Sequence, residues 1–143
     1  MELRKRLMEL GLEGFECSQM MMAVAMETEG MENPDLLRAM SGLTGGMGHS
    51  GGLCGALTGG CCVLGLFTGK GEAEEMEHNR SREIIQEYLT WFEASWGNRF
   101  GTSLCQDIVQ GDFSQCMTVC LPMIESCCEK IMEMLAEYEL TEM

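Results

Sequence analysis

The chain has 143 residues, enough for one domain with its own core and too few for two, so we expect a single domain over 1–143. Its net charge of -14 disfavours the function classes that need a cationic surface, and we expect neither nucleic acid nor a membrane as a partner. Nine cysteines, an odd number, and no apolar secretory segment at the N-terminus favour a cytoplasmic location over a disulfide framework.

Every periodic segment has the apolar spacing of a helix, and no segment alternates apolar and polar residues as a strand does. Asn33 and Pro34 are typical of an N-cap and a first helical position, and Ser103 and Gln106 have the spacing of a capping box. The predicted helices cover 2–10, 13–29, 34–40, 52–67, 70–97, 102–110 and 122–138.

A glycine-rich segment, 41–52, precedes the central predicted helix. The apolar run 53–67 that follows has fifteen residues, fewer than the about 20 of a membrane span, so we expect a buried helix. Small residues between positions 55 and 60 leave one face of this helix open to a neighbouring backbone or a cofactor. The sequence therefore predicts an all-α fold, a compact domain of about five or six helices with a glycine-rich loop before the central helix.

Four cysteines lie in or just before the first turn of a predicted helix, namely Cys17, Cys54, Cys105 and Cys120. Unpaired amides and the positive end of the helix dipole stabilise a thiolate at this position and lower the pKa of the thiol. Thiolates bind iron–sulfur clusters and zinc, and they are also the reactive form in disulfide exchange. Brought together, the four would form one metal or cluster site, in which Cys116 can supplement or replace Cys120.

The remaining cysteines, Cys61, Cys62, Cys127 and Cys128, lie inside apolar helical runs, where we expect them to be buried packing residues. The methionines of the stretch QMMMAVAM, 19–26, are expected in the core for the same reason.

Two further groups have ordinary structural interpretations. His49 is expected to be a polar loop residue, with a ligand or proton donor as the alternatives, and His78 a surface residue of the charged helix. Trp91, Phe92 and Trp96 are expected in the core, or else, with the small residues at 55–60, in a dimer seam.

The stretches GFECSQ at 14–19 and CGALTGG at 54–60, with the glycine run and the later cysteines, closely resemble the C_GCAxxG_C_C family of redox-active proteins. The resemblance extends from Gly14 to the last helix. It implies redox chemistry without a named substrate, and a similar domain occurs in a dimeric multihaem cytochrome reported to carry an iron–sulfur centre. The family cysteines match Cys17, Cys54, Cys105 and, for the fourth, Cys120, with Cys116 or Cys127 as alternatives.

Three functions are compatible with these residues. The first is an iron–sulfur protein, favoured as a two-iron cluster, in which the four cysteines are ligands and glycines such as Gly52 and Gly55 allow the backbone to approach the cluster. The second is a thiol–disulfide protein in which Cys54 attacks and a later cysteine resolves. The third is a soft-metal carrier for copper(I) or zinc. We expect a redox partner protein and consider a homodimer.

Overall fold

The computed structural model describes residues 2–112 and 116–141, the side chains of residues 116 and 117 excepted. Within them the fold is all-α, as predicted, and the only extended pairing is an isolated bridge between Leu53 and Leu104. The helices are α1 Leu3–Leu12, α2 Cys17–Thr28, α3 Pro34–Ala39, α4 Gly55–Thr68, α5 Ser81–Phe92, α6 Asn98–Phe100, α7 Cys105–Ile108 and α8 Leu121–Glu137.

Helices α2 and α4 pack against each other at the centre, and α4 also contacts α5 and α8. Eight residues of α2, from Ser18 to Met26, are buried. The methionines in this stretch belong to the core, as the sequence predicted, and Met123 and Met134 of α8 are buried with them. None of the described helices is long and apolar enough to cross a membrane.

The small residues of α4 are used inside the chain. A methyl group on Gly59 would lie 2.9 Å from Cα of Ser18, and one on Gly60 would lie 2.5 Å from the ring of Tyr88. The close approach of α2 and of α5 to α4 therefore depends on these glycines. The alternative of a dimer seam does not apply to the small residues of this segment, because Gly55, Ala56, Gly59 and Gly60 are buried by the chain's own helices.

The predicted helix 70–97 differs most from the structure, because residues 70–80 are not helical. The amides of Gly71 and Glu72 donate hydrogen bonds to the Glu75 carboxylate, so this acidic segment forms a turn in place of a first helical turn. Crowded like charges also disfavour a helix there. At the other end, α5 leads into a π-helical turn, Glu93–Gly97, and then into α6. The helical segment therefore extends beyond Gly97 and ends at Gly101, which is in the left-handed conformation.

Two predicted helix starts also move. Helix α2 begins at Cys17 because Gly14 has a φ of 96° and the Glu16 amide donates to the side chain of Gln19, 3.4 Å away. Helix α7 begins at Cys105, and its predicted capping box is absent from the hydrogen bonds of the described residues. The Leu104 amide there donates to the hydroxyl of Thr102 at 3.0 Å.

Local signals located the starts of α3 and α8 within a residue, whereas α1 runs past its predicted end at 10 to Leu12, and α4 begins at Gly55 instead of 52. The Asn33 side chain accepts from the Leu36 amide at 3.1 Å, as an N-cap does, and Pro34 follows it at the first helical position. Pro122 lies in the first turn of α8.

Candidate functional site

The bridge between Leu53 and Leu104 fixes the orientation of two cysteines. The Cys54 amide donates to the Ser103 carbonyl at 2.9 Å, and the Cys105 amide donates to the Gly52 carbonyl at 2.6 Å. Successive residues of an extended segment point to opposite sides. Leu53 and Leu104 are 42% and 39% exposed, whereas Cys54 and Cys105 are 4% and 5% exposed. The bridge thus turns both cysteines toward the protein interior.

The glycine-rich segment holds this bridge by close backbone contacts. Gly45, Gly46, Gly48 and Gly51 all have positive φ, and a methyl group on Gly51 would lie 2.7 Å from the side chain of Gln106 on α7. A methyl group on Gly52 would lie 2.9 Å from the Gly46 carbonyl oxygen. The sequence predicted that Gly52 adjoins a cofactor. In the structure, the space beside Gly52 is occupied at least in part by the backbone of the glycine-rich segment itself.

Cys54 is the N-cap of α4 without a side-chain capping hydrogen bond, and the nearby backbone amides of Ala56 and Leu57 favour its thiolate. Burial nonetheless raises the pKa of the Cys54 thiol to about 12, with a further contribution from the nearby thiol of Cys17. The predicted lowering of this pKa is wrong for the thiol without a bound metal, because loss of hydration outweighs the effect of the two amides.

Cys17 is the first residue of α2 and is half-buried. Its sulfur lies directly against Gly55, where any side chain would overlap it. Because Gly55 follows Cys54, this contact brings Cys17 beside Cys54, and the two thiols are close enough for each charge to affect the other. Gly55 thus makes room for a ligand candidate, which is a more specific role than the sequence indicated.

Cys105 and Cys120 are both buried, Cys105 as the first residue of α7 and Cys120 immediately before α8. Cys120 lies just before the first turn of α8, as predicted, although a π-helical turn, Cys116–Cys120, leads into α8 without a break. The side chain of Cys116 lies outside the described residues. Among the described side chains, no three His, Cys, Asp or Glu residues are arranged to hold a metal ion.

Comparison with protein families identifies the chain. A family model described as "Putative redox-active protein (C_GCAxxG_C_C)" matches residues 15–134. The chain belongs to the C_GCAxxG_C_C family. No curated protein and no solved structure gives a significant match.

In this C_GCAxxG_C_C protein, Cys127 adjoins the site, although the sequence predicted a packing role for it. Its thiol lies near the phenol of Tyr88, and its charge acts on Cys54. The Tyr88 phenol donates a hydrogen bond to the Ala56 carbonyl at 2.8 Å. Spacing offered one signal, because Cys127 follows Cys120 by seven residues and such residues share a helix face.

The neighbouring Cys128 points elsewhere and donates to the sulfur of Met21 at 3.7 Å. Burial raises the pKa values of Cys127 and Cys128 alike, to about 12 each. The prediction that Cys127 and Cys128 are buried is therefore confirmed.

Cys61 and Cys62, which are adjacent in α4, are less buried than the sequence predicted. Cys61 is half-buried and Cys62 is exposed, so the prediction of burial is wrong for Cys62. Burial and the neighbouring Cys62 raise the pKa of the Cys61 thiol to about 11.

Both histidines have polar contacts at the surface. The Nε2 atom of His49 lies 3.2 Å from a carboxylate oxygen of Glu16. The Nδ1 atom of His78 accepts from the Arg80 amide at 3.0 Å, in the turn that replaces the predicted helical start.

Proposed function

We propose that this protein is a redox-active iron–sulfur protein, with Cys17, Cys54, Cys105 and Cys120 as cluster ligands and Cys116 as the substitute for Cys120. A two-iron cluster is favoured, for electron transfer or redox sensing. One structural observation is the main support for this proposal. The Leu53–Leu104 bridge turns Cys54 and Cys105 inward, at the point where Cys17 lies against Gly55.

The donor set fits an iron–sulfur cluster in its chemistry. Cysteine thiolates are the usual ligands of such clusters, and no charged residue occurs between Ala39 and Gly69. The thiols are not arranged in advance as a metal-binding group, so binding requires their side chains to turn toward one another. Because the pKa of Cys54 is about 12, binding must also release its proton at neutral pH.

The chain's own groups would support thiolate ligands in defined ways. The amides of Ala56 and Leu57, in the first turn of α4, lie near the sulfur of Cys54 and would stabilise its negative charge after deprotonation. Gly55 leaves space for the sulfur of Cys17, and Gly52 orients Cys105 through its carbonyl. A bound cluster would supply reversible one-electron chemistry.

Thiol–disulfide exchange is the second candidate, favoured by the closeness of Cys17 and Cys54. In this reaction the thiolate of one cysteine attacks a low-molecular-weight disulfide and releases one thiol. The second cysteine then attacks the mixed disulfide and releases the other thiol. The protein gives up two electrons and two protons, and the small disulfide becomes two thiols. The structure points to Cys17, an earlier residue, as the resolving partner, where the sequence prediction named a later one.

Anaerobic purification and reconstitution test the proposal. Iron, sulfide, zinc and copper are measured together with the visible absorption spectrum, which also tests the soft-metal carrier. We expect iron and sulfide in equal amounts and absorbance in the visible region, lost in Cys54→Ser and retained in Cys62→Ser, whose thiol is exposed on the same helix. Colourless, iron-free protein would overturn the cluster proposal. A cytoplasmic location, a redox partner and a homodimer remain predictions.

A further inference from the structure

Three large apolar side chains are exposed at the bridge or next to it. We call Met47, Leu53 and Leu104, which are 48%, 42% and 39% exposed, the loop patch. Leu53 and Leu104 face each other across the antiparallel pair, where side chains lie about 5 Å apart. A methyl group on Gly52, the residue before Leu53, would lie 3.2 Å from the terminal methyl of Met47, so Met47 lies next to the bridge. Leu53 and Leu104 form the apolar centre of the patch, and Met47 is the adjacent exposed side chain.

The loop patch lies directly outside the candidate site. The bridge that exposes Leu53 and Leu104 is the same bridge that turns Cys54 and Cys105 inward. Only the thickness of one extended backbone segment separates the two pairs of side chains. A protein bound to the patch would approach the thiols more closely than one bound to the acidic turn 72–77.

We propose that the loop patch is the docking surface for a basic electron-transfer protein, an inference that rests on the proposed redox function. The chain has a net charge of -14 and attracts cationic partners at long range. Two exposed carboxylates lie near the patch. Glu16 contacts His49 of the glycine-rich segment, and Asp107 contacts Thr102 beside the bridge. A second copy of this chain would carry the same negative charge and be repelled.

The size of the patch fits a transient complex. The two leucines make a small apolar centre, with Met47 adjacent, and short-lived redox complexes have small interfaces, below about 1,200 Å² in total. Charge would guide the encounter, and the apolar centre would fix the bound position above the thiols.

The competing explanation is charge attraction alone, and the chain contains a control for it. Met76 is 91% exposed and lies in the acidic turn 72–77, among Glu72, Glu74, Glu75 and Glu77. A partner that is attracted only by negative charge would bind at this acidic turn. A partner that docks on the loop patch would contact Met47.

Methyl NMR of protein labelled with ¹³C at the methionine methyl groups separates these cases. The probe is a basic monohaem c-type cytochrome, and the control probe is an acidic flavodoxin. We expect a saturable shift of the Met47 methyl with the cytochrome, weakened by salt, and none with the flavodoxin. The methyls of Met8, which is 48% exposed on α1, and Met76 should change little.

The double variant Leu53→Gln/Leu104→Gln should weaken binding of the cytochrome about tenfold or more, whereas Leu12→Gln, at an exposed site on α1, should not. Thermal unfolding and metal content of the variants check that the fold and the site are retained. Shifts concentrated at Met76, no saturable shift at all, or a Met47 shift caused by raising the protein's own concentration would each overturn the proposal. The NMR measurement needs no bound cluster, so it can fail or succeed independently of the cluster proposal.

Discussion

Tyr88 donates a hydrogen bond from its phenol to the Ala56 carbonyl, 2.8 Å away, through a gap that Gly60 leaves in the surface of α4. The same phenol lies near the thiol of Cys127. One side chain of α5 therefore lies between the first turn of α4 and the middle of α8, close to Cys54. The contacts around Gly60 are consequently both structural and close to the candidate site.

Gly60→Ala should destabilise the protein. The added methyl group would lie 2.5 Å from the ring of Tyr88, which is fully buried and cannot move away freely. We expect a loss of about 1–3 kcal/mol in the free energy of unfolding, measured by urea denaturation under reducing conditions. Gly65→Ala is the matched control, because nothing lies within 4 Å of its added methyl. It should leave stability unchanged or raise it by up to about 1 kcal/mol.

Stability should fall in alkaline solution. The pKa of Cys127 and of Cys128 is raised from 9.0 to about 12 by burial. Above pH 9 the unfolded chain releases these protons before the folded chain does, so alkaline pH favours unfolding. Each thiol adds a slope of at most about 1.4 kcal/mol per pH unit between its two pKa values.

Urea denaturation between pH 7 and 10.5 measures this slope. Cys128→Ala should make it shallower, whereas Cys62→Ser should change it less, since Cys62 is exposed. An equal slope in wild type and Cys128→Ala would show that Cys128 ionises as easily in the folded protein as in the unfolded chain.

Mild oxidation of metal-free protein should link Cys17 to Cys54. The thiols adjoin each other, so a small disulfide such as oxidised glutathione is expected to produce this bond before others. Peptide mapping by mass spectrometry identifies the bond. In Cys17→Ser, the linkage should move to Cys54 and Cys127, whereas Cys128→Ser should give the wild-type product. A dominant bond between other cysteines would contradict the arrangement described here.

Gly55→Ala should separate Cys17 from Cys54. A methyl group at this position overlaps the sulfur of Cys17, which must move away. We expect slower formation of the Cys17–Cys54 bond and lower iron content after reconstitution, by at least several-fold. Gly65→Ala, on the same helix, is again the control. Unchanged rates in Gly55→Ala would show that the sulfur of Cys17 lies elsewhere in solution.

A short polar signal located the start of α3 but not that of α7, whose N-cap is Leu104 and not Ser103, and orientations set by distant contacts were not predictable. Asn33 and Pro34 define the start of α3 within a few residues of sequence. The contact of Tyr88 with Gly60 joins two helices, and the sequence of neither segment alone indicates this contact. The start of α5 was misplaced because apolar spacing was extended into an acidic turn stabilised by its own amides.

For the candidate site, the sequence indicated which helix starts carry a cysteine better than it indicated the properties of their thiols. A helix start can be read from sequence, and so the amides that point at Cys54 were anticipated. Burial cannot be read in the same way, and burial decides the pKa of this thiol. The exposure of Cys62 was missed because α4 contains no charged residue to indicate which face meets solvent.

The pairing of Leu53 with Leu104 closes a loop through more than a third of the chain. Closing a long loop has an entropic cost that neither segment can meet alone, because each hydrogen bond of the pair joins residues distant in sequence. The inward orientation of Cys54 and Cys105 therefore arises with the tertiary structure and not with helix formation. During synthesis, Cys54 is made well before Cys105, so its final surroundings cannot form until the later segment has emerged and folded back.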